Sequence, residues 1–318
     1  MSFIYPSLHC VGYLCLNRIQ IINANAISSP LTYGFPAVTG FTGAIHALSR
    51  KVSQIDGLED IRLDGVLIAC HDCQPQTYRE SSYKDFTFIQ TRNPLKKDGT
   101  TASIIEEGRC HLTVSLIVGV YSGSLFFDED DDQIDLLQQT VKNLIQQQRI
   151  AGGSVIGLNK FAPVSFRVKE KISEFTDKLL PAFVLTDAHD DLQTITAGLQ
   201  TKNPEATALD ALLETATLHH VPSDAQGSSW TVESVKKGRG WLVPIPVGYQ
   251  GISPTFDAGQ MQHSRNPEYP SQYVEAIYSL GKWVFPYSIE KLETAFWYQK
   301  HDAEQDLYLV TQQSQIAD

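Results

Sequence analysis

The residues best suited to chemistry are two cysteines and two histidines, and their spacing completes no familiar catalytic or metal-binding motif. Cys70 and Cys73 form a C-x-x-C pair around His71. Structural zinc sites usually take four ligands in two paired groups, and the other three cysteines show no matching spacing. The pattern therefore favours ordinary residues at the end of a strand over a metal or redox site.

His46 lies on a predicted helix, where a lone histidine is more often structural or exposed than catalytic. A role as general acid or base in RNA cleavage would need a second catalytic group, which the sequence does not identify. The six carboxylates of residues 128–135 lack the glycine and the terminal glutamate of a calcium loop, so they indicate a solvated helix start. We predict no catalytic residue, no metal and no cofactor.

Four cations of residues 91–109 form the first basic element: Arg92, Lys96, Lys97 and Arg109. Asn93-Pro94 and Asp98-Gly99 have turn chemistry, which indicates a protruding hairpin. Such a hairpin can press on a phosphate backbone. The alternative is an exposed hairpin whose charge is neutralised by two neighbouring glutamates.

A second basic element precedes an aromatic residue: Lys236, Lys237 and Arg239 come just before Trp241. Two interleaved glycines would allow close backbone approach. Basic side chains beside an aromatic ring suit single-stranded RNA, through phosphate pairing and base stacking. The alternative is a surface loop.

The first half of the chain has a readable order of elements. Alternating or continuous apolar runs predict strands over 13–22, 61–70, 111–120 and from 154 onward, and stripes at helical spacing predict helices over 39–53, with Thr39 as N-cap, and 128–148. The fold class predicted is α+β, with a β-α-β-β-α-β core of the ferredoxin or RNA-recognition-motif (RRM) type and a thumb-like hairpin insertion over 71–110.

The second half is less regular. Residues 175–192 and 204–220 are predicted to be largely helical, and 240–253 to be an edge or bent strand because of its two prolines. Residues 273–299 suggest a helix, a turn, an extended piece and a last helix. With no clean linker, we predict one elaborated domain over 1–318, with a core over 1–165 and a C-terminal extension over 166–318.

Composition limits the function classes. The chain has 318 residues and a formal net charge of −11, which lowers the expectation of nucleic-acid binding without excluding it, because affinity depends on local basic patches. No apolar run approaches the length of a membrane span, and the first residues do not resemble a signal peptide. Five cysteines at low density fit a reduced, cytoplasmic compartment. We also predict no membrane partner.

Several long and unusual segments resemble a known family. They are NANAISSPLTYGFP, TGFTGAIHAL, TRNPLKKDG, EEGRCHLTVSL, AGG, WLVPIPVGY and EAIYSLGKWV, in this order over residues 13–299. They are similar to the second Csy proteins of type I-F CRISPR surveillance complexes, which are Cas-five-like members of the RAMP group.

The resemblance implies a non-catalytic RNA-binding subunit of a Cascade-type antiviral complex. Such a subunit pairs with the large Csy subunit, holds the 5′ handle of CRISPR RNA and lies next to the first backbone Csy subunit. Target readout is left to guide pairing, and contact with target DNA near the flanking motif is a further partner that the resemblance leaves open.

The uncharged segment 22–41 then becomes a candidate handle-recognition loop. Its polar side chains can hydrogen-bond bases or sugar hydroxyls without charge, and Tyr33 or Phe35 can stack on a base. The alternative is that Ser28-Ser29-Pro30 only shapes a loop against a partner subunit. The full set of predicted RNA contacts is Asn23, Asn25, Ser28, Ser29, Tyr33, Arg50, Arg92, Lys96, Lys97, Arg109, His111, Lys236, Lys237, Arg239 and Trp241.

Two other functions compete with this prediction. A RAMP-type endoribonuclease that processes CRISPR RNA would require His46 or His71 near the cleaved phosphate. A pure scaffold would touch only proteins and would tolerate loss of the lysines.

Overall fold

A computed structural model describes residues 8–92, 95–106, 108–123, 132–223, 229–264 and 266–312. They form two compact units, Leu8–Ala182 and the described residues from Phe183 onward. The chain is mixed α/β, and each unit is built on an antiparallel sheet. The prediction of one elaborated domain stays a prediction, because compactness alone does not show whether the units fold separately.

The first unit contains three long central strands, two helices and several short ribbons. In chain order its elements are β1 (His9–Asn25), β2 (Ile27–Ser29), β3 (Thr32–Tyr33), α1 (Val38–Val52), β4 (Arg62–Pro75), β5 (Thr77–Tyr78), β6 (Thr87–Phe88), β7 (Gln90–Arg92), β8 (Ile104–Glu106), β9 (Arg109–Ser122), α2 (Asp132–Gln146), β10 (Arg149–Ile150), β11 (Gly153–Gly157) and β12 (Val164–Val168), followed by 3-10 turns at Lys169–Phe175 and Asp177–Leu179.

The sheet of this unit has the order β10-β11-β1-β9-β4, and β12 pairs with the first part of β1. The apolar alternation predicted for 111–120 holds only in the first half of β9, where Leu112 and Val114 are almost fully buried and Thr113 is half-buried, because residues 115–122 are buried on both faces. The face that carries Leu112 and Val114 lies toward α1, since the Cys73 thiol reaches the carbonyl of Gly34 just before that helix. Residues 176–182 cover the opposite face near its centre, as the contacts described below show.

Helix α1 confirms the predicted stripe, because Phe41, Ile45 and Leu48 are all buried. The prediction of Thr39 as its N-cap was wrong. The cap is Ala37, in an extended conformation and without a side-chain cap bond, because burial of Val38 extends the helix by one residue. Helix α2 keeps Asp132 and Asp135 in its first turn, where the helix dipole favours them. Residues 128–131 of the acidic run lie outside the described residues.

Two β-bulges meet at a buried serine in the middle of the sheet. β1 shifts register between Leu16 and Ile19, and β4 shifts between Cys70 and Asp72. Between them, the fully buried Ser115 hydroxyl accepts the backbone N–H of Arg18 at 3.0 Å and lies 2.7 Å from Nε2 of His71. It also lies 3.3 Å from Oδ1 of Asn17. The one hydroxyl therefore satisfies polar groups that both bulges bring into the sheet.

Side chains from the same two bulges bind the backbone that follows the 3-10 turns. The Arg18 guanidinium donates to the carbonyl of Leu180 at 2.8 Å. Nδ1 of His71 lies 3.1 Å from the carbonyl of Pro181. Because a carbonyl can only accept, Nδ1 carries the proton and donates to it. Residues 180–181 are thus bound by side chains of β1 and β4, the two strands that flank β9.

The second unit has a smaller sheet with helices on one face. Its elements are β13 (Phe183–Asp187), α3 (His189–Gln200), α4 (Ala208–Ala216), β14 (His219–Pro222), β15 (Trp230–Glu233), β16 (Trp241–Gly251), β17 (Val274–Val284), 3-10 turns at Pro286–Ser288 and Leu292–Ala295, β18 (Tyr298–Asp302) and β19 (Leu307–Thr311). The strand order is β13-β17-β16-β19-β18.

Several predictions for this half were wrong. Residues 274–284 form a strand instead of a helix, because aromatic and β-branched side chains pack well on a sheet and Gly281 leaves room for Leu185 and Ile245. The predicted helix over 175–192 is split by Pro181 into 3-10 turns, strand β13 and the start of α3. β16 is a strand as predicted, and its two prolines lie where only β17 pairs with it.

We expect Ser115→Ala to lower the free energy of unfolding by about 1–3 kcal/mol, because it removes the hydrogen-bond partner of Arg18 N–H and of His71. Urea denaturation followed by circular dichroism measures this loss. Ser154→Ala is the matched control, because Ser154 is an exposed serine of the same sheet. Equal stability of the two variants would contradict the role given to the Ser115 hydroxyl.

Candidate nucleic-acid interface

Beyond the two bulges, one end of the sheet presents polar side chains on the face opposite α1. The register aligns Gln20, Thr113 and Asp72 across three strands, and the next row pairs Gln74 with His111. All of these side chains are exposed or half-buried. Together with Asn23 and Gln76 they form a surface that we call the polar patch.

A hydrogen-bonded cluster occupies the end of the polar patch. The backbone N–H of Asn23 lies 3.3 Å from Nδ1 of His111. The side-chain amide of Gln76 lies 2.9 Å from that of Asn23 and 3.1 Å from Nε2 of His111. Asn23 sits in a third bulge of β1 with a φ of 55°, a left-handed conformation that asparagine tolerates better than most residues.

The positions of the protons in this cluster determine which hydrogen-bond donors and acceptors it presents to a ligand. Nδ1 of His111 accepts from a backbone N–H, so a neutral ring carries its proton on Nε2 and donates from there. The structure places Gln76 Nε2 as the donor to Asn23 Oδ1. Turning both amides over makes the Gln76 oxygen accept from Nε2 of His111 and from the Asn23 amide nitrogen, which suits this tautomer. This arrangement leaves the Asn23 oxygen and the Gln76 nitrogen for a ligand. The amide orientation that the structure places likewise leaves one donor beside one acceptor.

An adjacent donor and acceptor complement the hydrogen-bonding edge of a nucleobase. The cluster thus joins Asn23 and His111, which the sequence singled out, to Gln76, which it did not. The signal for Gln76 was weak, since it lies just after the strand in a long polar stretch. Knowing that β4 continues to Pro75 would have placed it beside His111.

The segment after Asn23 is a small hairpin formed by β2 and β3. Asn25 Oδ1 accepts the N–H of Ile27, and the Ser28 and Ser29 hydroxyls lie 2.6 and 2.7 Å from the Thr32 hydroxyl. These bonds shape the turn at Pro30. RNA contact by Asn25, Ser28 and Ser29 stays a prediction. The hydrogen bonds agree with one part of the alternative, in which Ser28-Ser29-Pro30 shapes the loop.

The two aromatic rings of this segment take part in packing. Tyr33 is half-buried against Gly108, where a larger residue would not fit. Burial, together with the Cys110 and Cys73 thiols, raises the pKa of Tyr33. Phe35 stacks on Phe41 with ring centroids 5.4 Å apart. Their stacking on bases stays a prediction.

The basic insertion contains two short ribbons, β5–β6 and β7–β8. Lys96 and Lys97 are exposed in a tight turn, which Asp98 closes by accepting from the backbone and hydroxyl of Thr100. Arg92 lies on β7. Arg109 begins β9 opposite Asn25, and its carbonyl accepts from the N–H of Gln76. Arg109 is therefore the predicted cation that borders the polar patch.

The remaining predicted residues lie elsewhere. Arg50 is exposed in the last turn of α1. In the second unit, Asp191 lies 3.3 Å from both Arg239 and Lys282, so one carboxylate holds two cations. Gly238 and Gly240 have φ values of 78° and 84°, so the glycines serve the turn geometry before Trp241. Lys236 is half-buried and Lys237 is exposed.

Cys70 and His71 show little readiness for chemistry. Burial raises the pKa of Cys70 to about 12, which keeps its thiol protonated. Burial and the nearby Arg18 charge lower the pKa of His71 to about 4, so its ring is neutral at physiological pH. Among the described residues, no group of three or more histidine, cysteine, aspartate or glutamate side chains could hold a metal ion.

Comparison with known proteins identifies the family. The model of the CRISPR-associated protein (Cas_Csy2) family matches residues 14–310. The CRISPR-associated protein Csy2 of Pseudomonas aeruginosa (strain UCBPP-PA14) is 38% identical over 316 residues, covering 93% of each chain.

The chain belongs to the Csy2 family. The resemblance noted in the sequence is thereby confirmed at the level of a Csy protein of type I-F CRISPR systems. In the described part of this Csy2-family chain, no helix is long and apolar enough to cross a membrane.

We expect the His71 imidazole of this Csy2-family chain to titrate at about pH 4 in proton NMR. Its folded pKa lies below the value of 6.5 for a free histidine, so the unfolded chain takes up the proton first. Stability should therefore fall as the pH drops from about 6.5 to about 4. His71→Gln should lose this part of the pH dependence of unfolding, whereas identical pH profiles for the two proteins would contradict the assignment.

Proposed function

We propose that this chain is a non-catalytic subunit of a type I-F CRISPR surveillance complex. It binds the 5′ handle of CRISPR RNA together with the large Csy subunit, and it caps the backbone beside the first backbone subunit. The observation that carries the proposal is the polar patch, with its paired donor and acceptor, on the open end of a sheet in a Csy2-family chain.

The topology of the first unit supports an RRM-like core. Four strands follow the spatial order β11-β1-β9-β4, with α1 after β1 and α2 after β9. This is the arrangement of a split β-α-β fold. RRM sheets bind single-stranded RNA on the open face of their central strands, and here the central strands β1 and β9 carry Asn23 and His111.

The distribution of charge supports handle binding by a net-acidic chain. The polar patch reads bases through neutral amides and an imidazole, so it needs no net positive charge. Cations for the phosphates lie at its border in Arg109 and in the basic insertion with Lys96 and Lys97. The proposed RNA path therefore runs from the insertion to the polar patch. The contribution of Lys236 and Lys237 stays a prediction.

The geometry of His71 argues against the alternative of a RAMP-type endoribonuclease. Both ring nitrogens are engaged, one with Pro181 and one with Ser115. A general base would have to break one of these bonds to take a proton from RNA. His46 lies half-buried on α1, close to the carboxylate of Asp64.

Binding of handle RNA to the full chain, co-expressed with the large Csy subunit, tests the proposal. Lys96→Ala with Lys97→Ala should weaken binding and make the salt dependence shallower by about 0.7 for each lost phosphate contact. Lys202→Ala with Lys300→Ala is the matched control, because both lysines are exposed in the second unit. Unchanged RNA affinity would favour the pure scaffold, and cleaved RNA would favour the endoribonuclease.

Gln76→Ala should lower the affinity for the same RNA by roughly 3–10-fold, because one hydrogen bond to a base is lost. The salt dependence should stay as in the wild type, since no phosphate contact changes. Fluorescence anisotropy over a salt series separates the two effects. A change in slope with no change in affinity at low salt would contradict base contact by Gln76.

A further inference from the structure

A contiguous row of five aromatic rings lies on the second unit. The ring centroids are 6.4 Å apart for Trp283 and Trp241, 5.5 Å for Trp241 and Phe183, 6.4 Å for Phe183 and Phe285, and 6.0 Å for Phe285 and Tyr287. We call this surface the aromatic row. It draws on β13, β16, β17 and the turn that follows β17.

The sheet register separates the aromatic row from the core of its unit. Leu242 and Leu280 pack into the apolar cluster formed with α3 and α4. Trp241 is the neighbour of Leu242 along the strand and pairs with Trp283, so both tryptophans belong to the other face. Helices α3 and α4 therefore pack on the face opposite the aromatic row. Leu185, which pairs with Trp283, is itself buried within the row's own face.

Four of the rings are substantially open to solvent. Phe183, Trp241, Phe285 and Tyr287 are 43, 56, 44 and 61% exposed. A large aromatic side chain has a surface of about 150–250 Å², so the four rings leave roughly 300–500 Å² of apolar surface in one place. This matches the largest apolar patches of soluble monomers, which often mark interaction sites. It is also large enough for the centre of an interface of about 800 Å² per partner.

The ring geometry fits a protein partner better than RNA. The ring planes meet at 72°, 63°, 52° and 38°, so the rings cover one another's faces in part and offer mixed edges and faces. Base stacking needs open ring faces next to cations. Two cations close to the tryptophans in the sequence, Arg239 and Lys282, are both held by Asp191. Lys236 and Lys237 lie in the turn before Trp241.

We propose that the aromatic row is the docking surface for an apolar segment of a neighbouring protein subunit in the complex. The turn that carries Lys236 and Lys237 leads directly into Trp241, so carboxylates at the border of that segment would complement it. The inference rests on the proposed function, because it names the surface through which this chain joins its assembly. Tryptophan and tyrosine dominate the binding energy of such interfaces.

The test uses a double variant that carries Trp241→Ser and Phe285→Ser in one chain. The control is Tyr269→Ser, which changes an aromatic residue of the same unit that is 65% exposed. Each full-length protein is co-expressed with the other Csy proteins and a handle-bearing RNA. Purification through a tag on this chain, followed by native mass spectrometry, counts the subunits that remain. Trp241→Phe tests whether an aromatic side chain alone restores the contact.

We expect the double variant to lose a Csy protein from the purified complex, because its apparent affinity for that protein should be at least roughly tenfold weaker. Tyr269→Ser and Trp241→Phe should assemble as the wild type does. Full assembly of the double variant would overturn the inference. So would loss of RNA affinity with all proteins retained, which would make the row a base-stacking platform.

Size-exclusion chromatography with light scattering adds a check on the wild-type chain alone. A dimer that the double variant converts to a monomer would assign the row to a second copy of this chain, which would also overturn the inference. A wild-type chain that binds handle RNA but joins no Csy protein would overturn it while leaving RNA binding intact. A chain that does neither would overturn the proposed function as well.

Discussion

The hydroxyl of Ser115 is the constraint on which the first unit depends. It lies in the middle strand with no exposed surface, and its partners come from both neighbouring strands. A buried polar group without such partners would cost free energy, so the two bulges that supply Arg18 and His71 are stabilised together. Those bulges also shift the register of β1 and β4. The side chains that follow them, from Gln20 and Asp72 onward, face the open end of the sheet as a consequence.

The proposed function requires an acidic chain to hold RNA. In that proposal the polar patch reads base edges with amide and imidazole groups, and the cations that neutralise phosphates belong to the separate basic insertion. A surface with few cations has little affinity for unrelated RNA, because non-specific binding is mainly electrostatic. The aromatic row belongs to the other compact unit, so the proposed contacts with protein and with RNA draw on different units.

The sequence predicted the elements whose side chains follow a single period. The stripe of α1 and the alternation in the first half of β9 depend only on one buried face, and both are present close to the expected residues. It did not predict the bulges, because a bulge is stabilised by partners on distant strands. Gln76 was missed for the same reason, since its neighbours Asn23 and His111 come from other parts of the chain. Part of strand β17 was predicted to be a helix, because the packing of Leu280 and Gly281 against β13 and β16 cannot be deduced from the local sequence.

Photocrosslinking with handle RNA that carries 4-thiouridine, followed by mass spectrometry of the peptides, tests the central claim most directly. The account predicts crosslinks to peptides that contain residues 20–23, 74–76 and 109–113, which meet at the polar patch. The Asn23→Ala and Gln76→Ala variants should reduce those crosslinks while leaving any to the basic insertion in place. Crosslinks confined to α1, or to other subunits with none to this chain, would contradict the account.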